Sequence, residues 1–414
     1  MTTRARFDIH VNSRATGIVH AADCVVEEVA GFVRRVDFRY TPGYLGNPGR
    51  FPLDPAGLPL APGEIQFRCQ GGVPGFIDDH LPDAWGRRVL TALAHYCDGR
   101  RLNADSVIDL LALVRDSGRI GALVFCNVGG SPGFPLGAPL ESLAQVERTA
   151  AQVDASDWGS AGLDEFAIAH LARSGSGPGG ARPKALVRDG ATCYLAKFNR
   201  RNGDDYNNAR VELACLDMAR AAGLEVAHGR VVEGINSRDV FLIERFDVEP
   251  DEHRRHLVSV NAMLKETGTQ RDSGLLFRYD DIADLLTRHS AAVRTDLKQL
   301  ARLALFNRAI NNTDDHSRNF SLVHDGDGYR LSPAYDLVPS MAVGEYHAAS
   351  FGYRPNPPRP SQAARAGRMF GLSKPLLRSC ADEVLAAVER WREFAERAGV
   401  RDAEADRIAR RFNP

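Results

Sequence analysis

Asn312-Thr313-Asp314-Asp315-His316-Ser317-Arg318-Asn319, followed downstream by Ser332-Pro333-Ala334-Tyr335-Asp336, decides the reading of this chain. The two stretches set an Asp, an Asn five residues later, and a second Asp beyond a short hairpin-like stretch. Carboxylate and amide oxygens are the donors that a hard cation takes. Leu297, Leu300, Ala301, Ala304 and Leu305 mark a helix leading into the first stretch, and loops that follow rigid helices are good platforms for reactive groups. Each residue alone has an ordinary reading. Asp314 and Asp315 suit a turn or a helix cap, Asn319 suits a turn, and His316 serves as readily to organise a polar loop as to act as a base.

Upstream elements give the cluster a context. Ser174-Gly175-Ser176-Gly177-Pro178-Gly179-Gly180-Ala181-Arg182-Pro183-Lys184 is a Gly-rich run entering a strand. Glycines let backbone N–H groups approach phosphate oxygens. The run is not a Walker A loop, because no G-K-[ST] opens a helix, and by itself it reads as a linker. Ala185–Val187 and Thr192–Phe198 then read as strands around Arg188-Asp189-Gly190-Ala191, a hairpin signal. Lys197 sits near the end of the second strand. Asn208–Ala222 reads as a helix stopped by Gly223, with Glu212 beside its apolar stripe. Val240–Ile243 reads as a buried strand running into Glu244-Arg245-Phe246-Asp247. Protein kinases use this order: a Gly-rich loop over the phosphates, a strand Lys, a helix Glu paired to it, a base Asp, an Asn on magnesium, and a metal-binding Asp. On that plan Lys197 contacts phosphates, Glu212 pairs with it, Asp314 is the base, and Asn319 and Asp336 hold the metal.

Composition sets outer bounds. A chain of 414 residues buries a large core and forms two or three lobes. A formal net charge of −1 gives no overall pull toward nucleic acid or anionic membrane. There is no run of about 20 apolar residues and no apolar signal core behind Met1-Thr2-Thr3-Arg4, so the chain reads as soluble and cytoplasmic, with no membrane partner. Seven scattered cysteines without C-x-x-C or His/Cys metal spacing read as buried thiols. Of 52 basic residues only Lys184, Lys197, Lys265, Lys298 and Lys374 are lysines. Two of these five fall in the nucleotide-binding segment, where an ammonium and a guanidinium are not interchangeable.

Along the chain, residues 1 to about 75 are expected to be strand-rich, followed by helices through Val89–Ala94 and Ser106–Arg115. Residues 129–140 are Gly/Pro-rich and read as a linker. The expected domains are 1–128, an N-terminal subdomain; 141–250, a nucleotide-binding lobe; and 251–414, a catalytic lobe. Beyond residue 255 helices dominate, over Asp281–Thr287, Asp296–Ile310 and one long helix Lys374–Ala398 stopped by Gly399. The expected fold class is α+β: a bilobal kinase-like fold with an added N-terminal α/β subdomain and an all-helical C-lobe.

These motifs resemble the HipA-type serine/threonine kinases of bacterial toxin–antitoxin systems over nearly the whole chain. Phe76-Ile77-Asp78-Asp79-His80-Leu81-Pro82-Asp83-Ala84-Trp85-Gly86-Arg87 resembles the family's N-terminal region. Gly179-Gly180-Ala181-Arg182-Pro183-Lys184 resembles its phosphate loop, and Ile243–Asp247 its inter-lobe hinge. Thr313–Phe320 and Pro333–Asp336 resemble its catalytic loop and metal segment. The resemblance implies binding of ATP and Mg²⁺ through Gly179, Gly180, Ala181, Lys184, Lys197, Glu212, His316 and backbone groups of Glu244 and Phe246. It implies silencing by autophosphorylation, with Ser174 and Ser176 both open as sites; a phosphoserine dianion loses the hydroxyl's fit in a phosphate-cradling loop. It further implies a protein substrate, an aminoacyl-tRNA synthetase among the options, and a HipB-like helix-turn-helix antitoxin that carries any link to DNA. Asp315 departs from the Gly often found there and is expected to add charge beside the base, shifting metal or substrate preference. Two rivals stand beside this reading: a kinase of small molecules or lipids, and a catalytically inactive nucleotide-binding co-repressor.

Overall fold

The computed structural model describes residues 2–96, 99, 101–114, 120–155, 162–174, 182–200, 203–265, 277–341, 346–365 and 369–414. The chain divides into two compact units. Unit 1 comprises Met1–Phe198, Arg245–Gly274 and Val323–Asp327; unit 2 comprises Asn199–Glu244, Leu275–Leu322 and Gly328–Pro414. Elements of both kinds occur in each unit, so the fold is mixed α+β.

Unit 1 opens with five antiparallel strands in the order Ile65–Arg68, Phe32–Tyr40, Gly17–Val29, Thr2–Ser13, Leu123–Asn127. Apolar residues of these strands, among them Phe7, Ile9, Val11, Val36 and Phe38, are buried. The Gly/Pro-rich stretch lies within unit 1, where Ala138–Pro139 pairs in parallel with Lys184–Asp189. Strands Lys184–Asp189 and Thr192–Phe198 form the expected hairpin, turning at Gly190, whose φ of 59° is the left-handed conformation that glycine adopts without strain.

The segment around Asp78–Trp85 is a set of ties inside unit 1. Asp78 accepts from Asn261 Nδ2 at 2.9 Å and pairs with Lys265 Nζ at 2.8 Å. Asp79 accepts from the Ser259 backbone N–H at 2.7 Å and from its hydroxyl. Gly75, which opens the segment, has no room for a side chain, because a Cβ would run into the Ala262 carbonyl. Asp83 caps the helix Ala84–Tyr96 through the Gly86 N–H at 2.7 Å, and its other oxygen bonds Lys184 Nζ at 2.6 Å. The fully buried Trp85 donates its indole N–H to the Lys184 carbonyl at 3.0 Å.

Unit 2 contains the helix Asn208–Ala221, capped by Asn207, which accepts from the Arg210 N–H. It also contains a hairpin of Gly229–Ile235 and Arg238–Glu244 that turns on left-handed Asn236 and Ser237. The buried helices Tyr279–His289 and Val293–Ala309 follow. An all-helical C-lobe is overturned. Within unit 2, Phe277–Arg278 pairs in parallel with Ala349–Ser350 and the strand Tyr329–Leu331 precedes Asp336, while the strand Ser321–His324 divides between the two units after Leu322. Buried loop backbone must find hydrogen-bond partners, and short strand pairs supply them. The single helix expected over 374–398 is also corrected. It breaks at Arg390 into Lys374–Glu389 and Trp391–Arg397. Apolar periodicity continues through the break, but the Trp391 indole is drawn to the Ala405 carbonyl at 3.0 Å and packs on Phe412, which redirects the chain. No helix among the described residues is long and apolar enough to cross a membrane. The six described cysteines are buried and form no disulfide with one another.

The Lys184 and Asp83 side chains are only 6% and 8% exposed, so removing one charge strands the other. Asp83→Ala is expected to lower stability by about 3–5 kcal/mol, read as a fall in the urea midpoint; an unchanged midpoint contradicts this packing.

Candidate functional site

The helix Val293–Ala309 ends in a turn at Ile310 and left-handed Asn311 (φ 58°) and hands the chain to the Asp-rich loop. Burial then alternates. Thr313 is buried, the Asp314 side chain is 77% exposed, and Asp315 is fully buried. The loop closes in the short 3-10 turn Ser317–Asn319. Asn319 is buried; its amide N–H donates to the Asp314 carbonyl at 2.7 Å. The other end of that amide, Oδ1, is buried with no hydrogen-bond partner among the described residues. A buried acceptor left unpaired is costly and calls for a donor or a cation.

Asp336 sits in the left-handed region at φ 59° and is half-buried. Asn312 ties it to the loop: its amide nitrogen donates to the Asp336 carbonyl at 3.4 Å and to Asn307 Oδ1 at 3.1 Å. Ala334, just before it, pairs with Val226, and its N–H donates to the Glu225 carbonyl at 2.8 Å. Unit 2 therefore holds Asp314, Asn319 and Asp336 on one hydrogen-bonded framework. His316 is half-buried, with Nε2 3.9 Å from Asp314 Oδ1 and a buried Nδ1 that has no hydrogen-bond partner among the described residues.

The expectation that Asp315 adds charge beside the base is corrected. Its carboxylate turns inward and accepts from Tyr279 Oη at 2.7 Å, His347 Nδ1 at 2.8 Å and the Ala349 N–H at 3.1 Å. Burial, and then the neighbouring Asp315 charge, push the Tyr279 hydroxyl well above its ordinary range, so it remains a donor. Linear reading missed Tyr279 and His347, which lie 36 and 32 residues from Asp315.

The remaining expected residues fall as follows. In unit 2, Glu212 is buried (4% exposed) on the helix Asn208–Ala221, and Glu244 ends its strand with its N–H on the His228 carbonyl at 2.7 Å. In unit 1, Lys197 is half-buried on the hairpin and stands opposite Lys184 in register, so both side chains leave the same face. The Lys184 ammonium is engaged by Asp83. Phe246 packs against Ile120, Leu257 and Val323. Beside it, burial raises the Asp247 carboxyl, but Arg245, Arg254 and the Gly121 N–H outweigh that effect and hold it below its ordinary range. Ser174 ends the helix Glu165–Ser174, while Ser176, Gly179, Gly180 and Ala181 lie outside the described residues.

One carboxylate–imidazole group, Asp8, His20 and Asp23, has metal-ligand spacing among the described residues. Cross-strand register creates it, so linear spacing hides it. Arg6 and Arg39 each donate to one oxygen of Asp23, and the group reads as an ion-pair network.

Two family models match the chain: the HipA-like C-terminal domain over residues 176–412 and the HipA N-terminal domain over residues 11–126. A Sinorhizobium fredii protein named as a kinase, Y4mE, is 28% identical over 219 residues, which is 51% of this chain. The match spans 45% of that relative's length. Among solved structures, the Shewanella oneidensis MR-1 toxin–antitoxin complex of HipA, HipB and operator DNA is similar, with a TM-score of 0.64 at 18% identity, covering 98% of this chain and 94% of that one.

A left-handed backbone suits Asp or Asn better than Ala. Asp336→Ala is expected to cost about 1–2 kcal/mol more than Asp336→Asn in urea unfolding; equal stabilities would contradict the strained placement.

Proposed function

The chain belongs to the HipA-type toxin family, and from that footing we propose that it is an ATP-dependent serine/threonine protein kinase. The observation that carries the reading is Asn319, which offers a buried oxygen with no hydrogen-bond partner among the described residues, at the offset from Asp314 that a kinase metal ligand occupies. Asp336 is the second oxygen donor. When bound at these two side chains, Mg²⁺ would neutralise charge on the ATP phosphates.

The chain's own residues supply the rest. Asp314, exposed at the loop crest, orients a Ser or Thr hydroxyl of the substrate protein and accepts its proton. The hydroxyl oxygen bonds to the γ-phosphorus as the bridge to the β-phosphate breaks, and ADP leaves. Lys197 contacts the phosphates, with Glu212 as its partner. Lys184, committed to Asp83, contributes through its backbone where the Gly-rich run enters the sheet. Gly179, Gly180 and Ala181 cover the phosphates, backbone groups of Glu244 and Phe246 meet adenine, and His316 lies at the phosphate end. Ser174 or Ser176 is the autophosphorylation site. The partner is a HipB-like antitoxin, as the complex with HipB and operator DNA in the Shewanella system supports.

With labelled ATP, Asp314→Ala is expected to fold but lose about 10²–10⁴-fold in transfer to a protein acceptor. Asn319→Leu is expected to abolish the Mg²⁺-dependent part of ATP stabilisation in a thermal melt. Undiminished transfer in Asp314→Ala, or native-like stabilisation in Asn319→Leu, removes the assignment. Labelling of small hydroxyl compounds in place of proteins favours the small-molecule rival, and Mg²⁺-dependent ATP binding without turnover favours the co-repressor.

A further inference from the structure

Asp315 has no solvent exposure, nor has the His347 side chain that donates to it. Residues 347–349 form a strap under the Asp-rich loop. His347 Nδ1 and the Ala349 N–H reach Asp315, while the Ala348 N–H donates to the Thr313 carbonyl at 3.0 Å. Tyr279, the first residue of its helix, donates to the same carboxylate, and its hydroxyl accepts from Asn307 Nδ2 at 3.0 Å. The short parallel pairing of Phe277–Arg278 with Ala349–Ser350 holds these donors side by side. The two loop residues so tied, Thr313 and Asp315, flank the outward-facing Asp314.

Burying a carboxylate carries a large desolvation cost, and well-packed apolar residues often serve stability as well. What three fixed donors give, and an apolar side chain does not, is one orientation of the loop. We propose that Tyr279, Asp315 and His347 form a buried clamp of positioning residues that aims Asp314 at the substrate hydroxyl. The inference rests on the reading of Asp314 as the base. Misplacing a reacting group by about 1 Å costs on the order of 100-fold, so the clamp acts on turnover while nucleotide binding stays as it is.

The test is steady-state kinetics on the full chain, with folded enzyme counted by ATP-binding titration. His347→Leu deletes the donor, His347→Asn restores an amide N–H near the Nδ1 position, and Tyr279→Phe removes a single hydroxyl and keeps the test open if His347→Leu fails to fold. Expected are falls in kcat of about 10- to 100-fold for His347→Leu and Tyr279→Phe, a KM for ATP within about twofold of native, and recovery of most of the kcat in His347→Asn. Native kcat in the Leu and Phe variants, with Asp314→Ala inactive, overturns the clamp alone. So does a parallel loss of kcat and ATP affinity that His347→Asn does not rescue. Absence of transfer by the native protein overturns the kinase reading and the clamp with it.

Discussion

The fully buried side chain of Asp315 is the tie on which the Asp-rich loop of unit 2 depends. A polar group at that depth is tolerated only when its lone pairs are met by good donors. Here the donors come from two remote segments, the start of the helix at Tyr279 and the strap at His347 and Ala349. Strap, helix and loop must therefore be in place together. The short strand pairs that interrupt this otherwise helical region are the backbone side of the same requirement.

The elements that local chemistry dictates were legible in the sequence. The Asp189-Gly190 turn set the hairpin, apolar spacing with Gly223 set the helix Asn208–Ala221, and periodicity set Val293–Ala309. The elements that tertiary contacts dictate were not. Two-residue strands carry no period, so Phe277–Arg278 and Ala349–Ser350 left no mark. The break at Arg390 follows from where the Trp391 indole finds an acceptor, which no local pattern encodes. At the candidate site, residue types and order singled out Asp314, Asn319 and Asp336 as candidates. The burial that gives adjacent Asp314 and Asp315 opposite environments depends on partners more than thirty residues distant.

Charge pairing also divides residues that look alike. Lys184 and Lys197 face each other across the hairpin, yet the first is neutralised in the interior by Asp83. Asp83 and Trp85 hold the strand just past the Gly-rich run by an ion pair and an indole hydrogen bond. The acidic residues of that N-terminal segment are thus structural ties of unit 1, and the chemistry proposed here belongs to Lys197 and to the loop of unit 2.

In the proposed function Lys197 contacts the phosphates of ATP. An acyl-phosphate derivative of ATP, which transfers its acyl group to an amine held at the phosphates, tests it directly by peptide mapping, because the chain has only five lysines. The account predicts acylation of Lys197 that excess ATP with Mg²⁺ blocks and that weakens in Asp336→Ala. Acylation confined to Lys298 or Lys374, or labelling of Lys197 that ATP does not block, would contradict it.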